Sequence, residues 1–289
     1  MFGDKDQYIK DKYGLTAVYS KEICETLTKL YDLFISESSL IQRNMGIRIN
    51  VPDIYFVKKD EIGGFEFKVE EEFCIVIYTG TVEMQKAHLR EVFGKRNVGV
   101  EESFIDKLIE YTVLFVVMHE YMHILSGHCL IDCVEKRAQE AEADIEAAHA
   151  IIRKIISEME ADEVENELLA SFVAIFYFFK SMESLNEDEK YNVRLLDNHY
   201  DDKNRTHPLT SQRIMYIYEC YNIFFHDEGT LFYNIRDKIL EKLFLLGEKS
   251  NENSLVDTIY KLEEKKISEI QDEIKRIRVK IPRIGDFKE

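Results

Sequence analysis

The spacing of apolar residues along the chain changes period several times, and each change marks an element. Ile23, Leu27, Leu30, Leu33 and Phe34 recur at three- and four-residue intervals, so residues 20–36 read as an amphipathic helix. The period then shortens. Ile47 to Val51 and Ile54 to Val57 are short β-type runs separated by Pro52, which has no N–H to give an inner ladder. After a turn at Gly63-Gly64, Phe65, Phe67 and Val69 alternate with Glu66, Lys68 and Glu70, the pattern of a half-exposed strand with one wet face. Phe73 to Tyr78 is unbroken apolar sequence ending at Gly80, which predicts a central strand covered on both sides.

From there the helical period dominates. Thr81 to Phe93 reads as a helix, and a loop from Gly94 to Gly99 leads to the next, with Ser103 as its expected N-cap and Asp106 three residues on. Within that helix Val113 to Met118 are apolar on every side, which predicts burial, and Gly127 is expected to stop or bend it. Further helices are predicted over Glu135–Ile156 and Glu163–Lys180. Asn186–Arg205 is a polar connection, and Pro208 suits the first turn of a helix running through Phe225. Leu231, Ile235, Ile239, Leu243 and Leu246 mark another helix. The tail Ser254–Val279 carries apolar residues at 255, 259 and 262 and then at 267, 270, 274 and 277, a seam that wants a partner helix from this chain or from a second copy. The expected fold is therefore α+β and mainly helical, with a small mixed or antiparallel sheet on a buried helix. A domain over 1–226 and a helical C-terminal extension over 227–289 are expected.

The chemistry concentrates on that buried helix, which contains His119-Glu120-Tyr121-Met122-His123. Two histidines four apart project from one helix face and can reach one ion, with Glu120 beside the first of them. This is the signature of a zinc metallopeptidase helix, in which the glutamate serves as general base. The alternative is a pair of core histidines bonded to carbonyls. Further ligands decide between them, because a catalytic zinc takes three protein ligands and keeps a fourth position open. Glu140, with 16 residues between it and His123, is the expected third ligand. Asp144, one turn further on, is expected to accept from the other ring nitrogen of a ligand histidine, His119, and so fix its tautomer. Glu142 and Glu146 are expected to face solvent. His207 is the candidate oxyanion donor, or else an ordinary residue before Pro208; Tyr191 and Tyr200 are weaker candidates for the same role. Arg213 is expected to pair with a site carboxylate, and His128 to be structural.

Composition narrows the partners. A net charge of −17 without a basic patch argues against nucleic acid and anionic membranes. The longest unbroken apolar stretch, Leu168 to Phe179, has 12 residues including a serine, short of the roughly 20 a membrane span needs. The start MFGDKDQYIKDKYG lacks a secretory pattern, and five cysteines without a framework agree with a reducing compartment, so a cytoplasmic location is expected. Cys129 and Cys133 are expected to pack rather than bind metal.

HEYMHILSGH, then EAEAD, then THPLTSQR resembles the gluzincin metallopeptidases of the HtpX and CAAX-prenyl-protease type, over roughly residues 45–220. The resemblance implies a zincin-type fold and an endopeptidase with one zinc ion per chain and a protein or peptide substrate. It also implies that an edge strand above the metal pairs with the substrate, which would assign that part to Phe65, Glu66, Phe67, Lys68 and Val69. The family's membrane proteases carry transmembrane helices and no such segment is expected here, so prenyl-protein processing is not carried over. The HExxHxxxGH form is similar also to regulatory peptidases of the ImmA/IrrE type and to Lit-like phage-exclusion peptidases. That leaves open a regulatory protease of phage defence or stress response that cleaves one repressor or translation factor. A non-catalytic zinc-binding scaffold is the third reading, and the retained Glu120 speaks against it.

Overall fold

The computed structural model describes residues 3–18, 34–35, 38–39, 42–43, 49–128, 136–185, 210–227, 235–249, 255–260 and 272. In chain order these form α1 (Gly3–Tyr13), β1 (Asp53–Val57), β2 (Gly64–Val69), β3 (Glu72–Tyr78), α2 (Gly80–Lys95), α3 (Glu102–Leu125), α4 (Lys136–Glu158), α5 (Ala161–Leu185), α6 (Thr210–Asp227), α7 (Ile235–Leu245) and α8 (Leu255–Tyr260). The protein is α+β and mainly helical, as the periodicity predicts.

The sheet is mixed, with strand order β1-β3-β2. β3 is central because its run Phe73 to Ile77 is apolar at every position and all five residues are buried. β1 lies parallel to it, Asp53 opposite Cys74. β2 lies antiparallel, Gly64 opposite Ile77 and Val69 opposite Glu72, and forms one edge of the sheet among the described residues. Residues 49–51, expected to be extended as part of a β-type run, are in no strand; a single bridge from Ala17 meets β1 at Val57 instead.

Each face of the sheet is covered by a different layer. Tyr55, Val57, Phe67, Cys74 and Val76 form a small core with Ile9, flanked by Tyr8, Tyr13 and Phe65. Phe67 stacks on Tyr8 with ring centroids 5.5 Å apart. Lys5 ties this helix to the sheet by pairing with both Asp53 and Glu72. On the other face Phe56, Phe73, Ile75 and Ile77 enter the main core with α3. β2 stays half-exposed but is not wet along one whole face: α1 takes its aromatic side, and its Gly64, Glu66 and Lys68 side faces the helix layer only in part, with Lys68 reaching out to the exposed Glu71. Gly64 makes that approach possible, since a Cβ there would lie 2.5 Å from the Val76 carbonyl oxygen and 3.3 Å from Val116 Cγ1.

α3 runs through the middle of the molecule, and every residue from Tyr111 to Leu125 is buried. Each fully buried large apolar side chain contributes about 1.5–3 kcal/mol, so a helix covered on all sides is held far more firmly than its propensity would hold it. It is also the described helix that satisfies the length and composition of a membrane span, at a mean hydropathy of 1.3, but 94% of that window is buried inside the protein. The span-like segment is thus α3 rather than the Leu168–Phe179 run, which lies in α5. Ser103 does not cap α3. The helix starts one residue earlier, after an extended Glu101 with no side-chain cap, and Ser103 Oγ instead donates to Glu101 Oε2 at 3.3 Å.

The C-terminal helices continue the same core: Ile239, Leu240, Leu243, Leu246, Leu255, Val256 and Ile259 belong to one cluster with α3, α5 and α6. Leu255 and Ile259, the first two positions of the tail seam, are thereby buried within the chain. A polar clamp reinforces this docking. Arg96, after α2, donates to Glu248 Oε1 at 2.7 Å, to the Leu246 carbonyl at 3.0 Å and to Tyr177 Oη at 3.1 Å, and Lys180 of α5 pairs with the same Glu248.

Candidate metal centre

Helical geometry delivers the first two groups. His119 and His123 lie one turn apart on α3, and their Nε2 atoms converge to 3.1 Å. α4 returns alongside and supplies the third: Glu140 Oε2 lies 3.4 Å from His119 Nε2, and its Oε1 lies 3.5 Å from His123 Nε2. An ion with bonds of about 2.0–2.1 Å in tetrahedral geometry separates its ligand atoms by about 3.3–3.4 Å. Each histidine faces a different oxygen of the Glu140 carboxylate at about that separation, and one ligand atom from each of the three residues lies within 4.8 Å of the others, close enough to hold a metal ion. His119, His123 and Glu140 are also the group of metal-capable side chains found together among the described residues.

Asp144 stands where its spacing places it, with Oδ1 3.0 Å from His119 Nδ1 and no exposed surface. His119 Nδ1 makes no aligned hydrogen bond, so this is a close charge contact rather than a fully directed one. Arg213 of α6 completes the support. It donates to both oxygens of Asp144, lies 3.9 Å from Glu140 Oε2, and stacks its guanidinium 4.6 Å from the Phe179 ring centre.

The electrostatics without an ion are those of a crowded buried cluster. Burial alone would depress the His119 imidazole, but Asp144 and Glu140 outweigh it and push it up to about 10. Burial would raise Glu140, yet His119, His123 and Arg213 hold it well below the usual carboxylate range. His123 is driven well below its ordinary value by burial and by the charge on His119. One imidazole is thus cationic and the other neutral, a division that a dication would replace by two neutral ligands.

Glu120 is buried beside this group. Burial pushes its carboxyl well above the usual range; His119 opposes that, and the charge and hydrogen bond of Glu66 reinforce it. Glu66 is raised as well, first by burial, with the Glu120 hydrogen bond acting the other way. The two carboxyls therefore share a proton, held on Glu120, in the absence of an ion. Glu66, taken from the sequence as part of a wet strand face, is a half-buried residue hydrogen-bonded to Glu120. Its alternation with Phe65 and Phe67 gave the direction, but not that this was the inner side.

Glu142 departs from expectation, and His128, still outside the ligand group, makes a contact the sequence did not suggest. Glu142 is not solvent-facing: it is 2% exposed and its Oε2 lies 3.3 Å from His128 Nε2. His128, expected to be structural and off the ligand face, reaches His123 with Nδ1 to Nδ1 at 2.8 Å. Gly127, with φ of 75°, makes this possible: it ends α3 in a left-handed turn that brings the chain back. Glu146 is half-buried, with an oxygen 3.9 Å from His149 Nδ1.

His207, Tyr191, Tyr200, Cys129, Cys133 and most of the predicted 20–36 helix lie outside the described residues. Of the expected substrate strand, Phe65, Glu66, Phe67, Lys68 and Val69 form β2 at the sheet edge, packed against α3. No protein-family profile, curated protein or solved structure matches the chain.

Proposed function

We propose that the protein is a zinc-dependent endopeptidase acting on a protein substrate. The observation that carries this reading is the convergence of two imidazole nitrogens and a carboxylate close enough to hold one ion, with a second carboxylate, Glu120, next to the first ligand on the same helix. Two histidines and a glutamate are an established catalytic zinc set, whereas closed structural sites are built mainly from cysteine. When bound, zinc in such a site brings the pKa of a coordinated water to about 7 and polarises a carbonyl.

The chain's own residues divide the remaining work. Glu120 takes the proton of the attacking water and returns it to the leaving amine. Glu140 and the two histidines hold the ion, while Asp144, fixed by Arg213, orients His119. β2, an edge strand packed against α3, offers backbone to which an extended substrate adds. Glu66 keeps the Glu120 carboxyl turned toward β2.

The test is metal content followed by cleavage. Protein purified without chelators is expected to carry about one zinc per chain, lowered in Glu140→Ala. Incubation with an unfolded protein mixture and sequencing of new N-termini should show cuts by the wild type that are absent with Glu120→Gln. A folded protein that binds no zinc, or equal cleavage by both forms, overturns the reading.

A further inference from the structure

We infer that His128 and Glu142 form a relay that fixes the tautomer and orientation of His123 for metal binding, a second support distinct from the one Asp144 gives His119. This rests on the metal-centre reading above and adds two residues to it.

The argument follows the protons. A nitrogen that ligates a cation carries none, so with Nε2 of His123 directed at the ion the ring proton must sit on Nδ1. That N–H points at His128 Nδ1, 2.8 Å away, which must therefore accept and be bare. The His128 proton is then on Nε2, 3.3 Å from Glu142 Oε2, an acceptor that ends the chain. Each assignment is forced by the one before it, and no donor meets a donor. The opposite tautomer of His128 would set two N–H groups against each other at 2.8 Å.

Burial gives the relay its weight. His128 is 6% exposed, Glu142 2% and His123 6%, so water is poorly placed to substitute for any member. The relay also explains Gly127. Without its left-handed turn the chain would leave α3 with His128 pointing away from His123. Each ligand histidine is thus backed by a carboxylate from α4, Asp144 directly for His119 and Glu142 through an imidazole for His123.

The experiment compares metal binding by the full chain and two variants. His128→Phe fills the space but offers no nitrogen. His128→Gln offers an amide oxygen to His123 and an N–H to Glu142. Zinc affinity is read by competition with a chromophoric chelator, Co2+ coordination by its visible spectrum, and folding of the metal-free proteins by urea denaturation. The relay predicts that His128→Phe weakens zinc about 10–100-fold and alters the Co2+ spectrum, and that His128→Gln recovers most of both. The urea and Co2+ data together separate this from lost packing, since packing alone would lower stability and leave the Co2+ spectrum unchanged. A wild type that binds zinc with both variants inside about twofold of it overturns the relay alone. A wild type that binds neither ion overturns the metal centre and the relay together.

Discussion

Arg213 donates to both oxygens of Asp144, Nε to Oδ2 at 2.6 Å and Nη2 to Oδ1 at 2.7 Å, across 69 residues of chain. Asp144 is fully buried and also faces His119, so a helix far along the sequence controls how a metal ligand sits. Arg213→Met removes both directed hydrogen bonds to the Asp144 carboxylate and leaves it the His119 contact, and removing one partner of a buried pair costs about 3–5 kcal/mol. Urea denaturation of the metal-free proteins should show a loss in that range. An exposed pair such as Lys68 with Glu71 is worth about 0–1 kcal/mol, and a loss that small for Arg213→Met would contradict the assignment.

Gly64→Ala should injure the fold and the centre together. The added methyl meets the Val76 carbonyl oxygen at 2.5 Å, so β2 must shift from its place between β3 and α3. Overpacking of this kind costs about 1–3 kcal/mol. Because Glu66 rides on the same strand, its hydrogen bond to Glu120 should loosen as well. A variant as stable as the wild type would mean that β2 does not pack as described.

Metal-free protein should lose stability as pH rises above neutrality. His119 has a raised value of about 10 against an ordinary 6.5, so its contribution is complete below 6.5 and is lost as pH climbs through 10. Glu140 is depressed, so its contribution is present above 4.5 and lost only as the medium becomes strongly acid. Glu120 and Glu66 are raised, and a carboxyl of that kind costs stability once pH exceeds its ordinary value. His123, depressed, works from the acid side, costing stability below its ordinary 6.5, so the optimum of chelator-treated protein falls at about pH 6, by the same linkage, to about one unit. Zinc affinity should move the other way, strengthening with pH up to about 10, because the ion must displace the proton on His119. Melting temperatures across pH, with and without zinc, test both slopes.

Glu66→Gln separates the paired carboxyls. The amide still accepts a hydrogen bond from protonated Glu120 but carries no charge. Metal-free protein should gain stability at about pH 8, where the like charge is removed, and nothing at about pH 4, where both carboxyls hold protons. Equal effects at the two pH values would show that Glu66 acts through packing alone.

Much of the centre was legible because helix geometry is fixed. His119 and His123 at one turn, then Glu140 and Asp144 at one turn on a following helix, needed only that the second helix return along the first. Arg213 was legible more faintly, as a cation that buried carboxylates require. Glu66 was misassigned for a physical reason: in an alternating strand the aromatic side is ordinarily the buried one. Here α1 covers the aromatic side, so the polar side was free to face α3. Glu142 was misassigned because a helix-face argument presumes one wet face, whereas α4 is buried nearly all round from Gln139 to Ile145. His128 lies past the end of α3, where helical register no longer applies and a left-handed glycine sets direction. The small sheet was expected, and the unbroken apolar run marked β3 as its central strand, but nothing in β1 or β2 alone states that one pairs parallel and the other antiparallel.

α3 is made before the helices that cover it. When residue 125 has emerged from the ribosome, the chain exposes a 24-residue helix with the hydropathy of a membrane span, while α4 and α5 have yet to emerge. During that interval the segment is the kind of surface that hydrophobic-binding chaperones and membrane-targeting factors recognise. His123 and His119 near its end lie only 17 and 21 residues before Glu140, so capture of an ion would join α3 to the first part of its cover as soon as α4 emerges. Metal supply during translation would then affect how much of the chain reaches its native state, separately from any effect on catalysis.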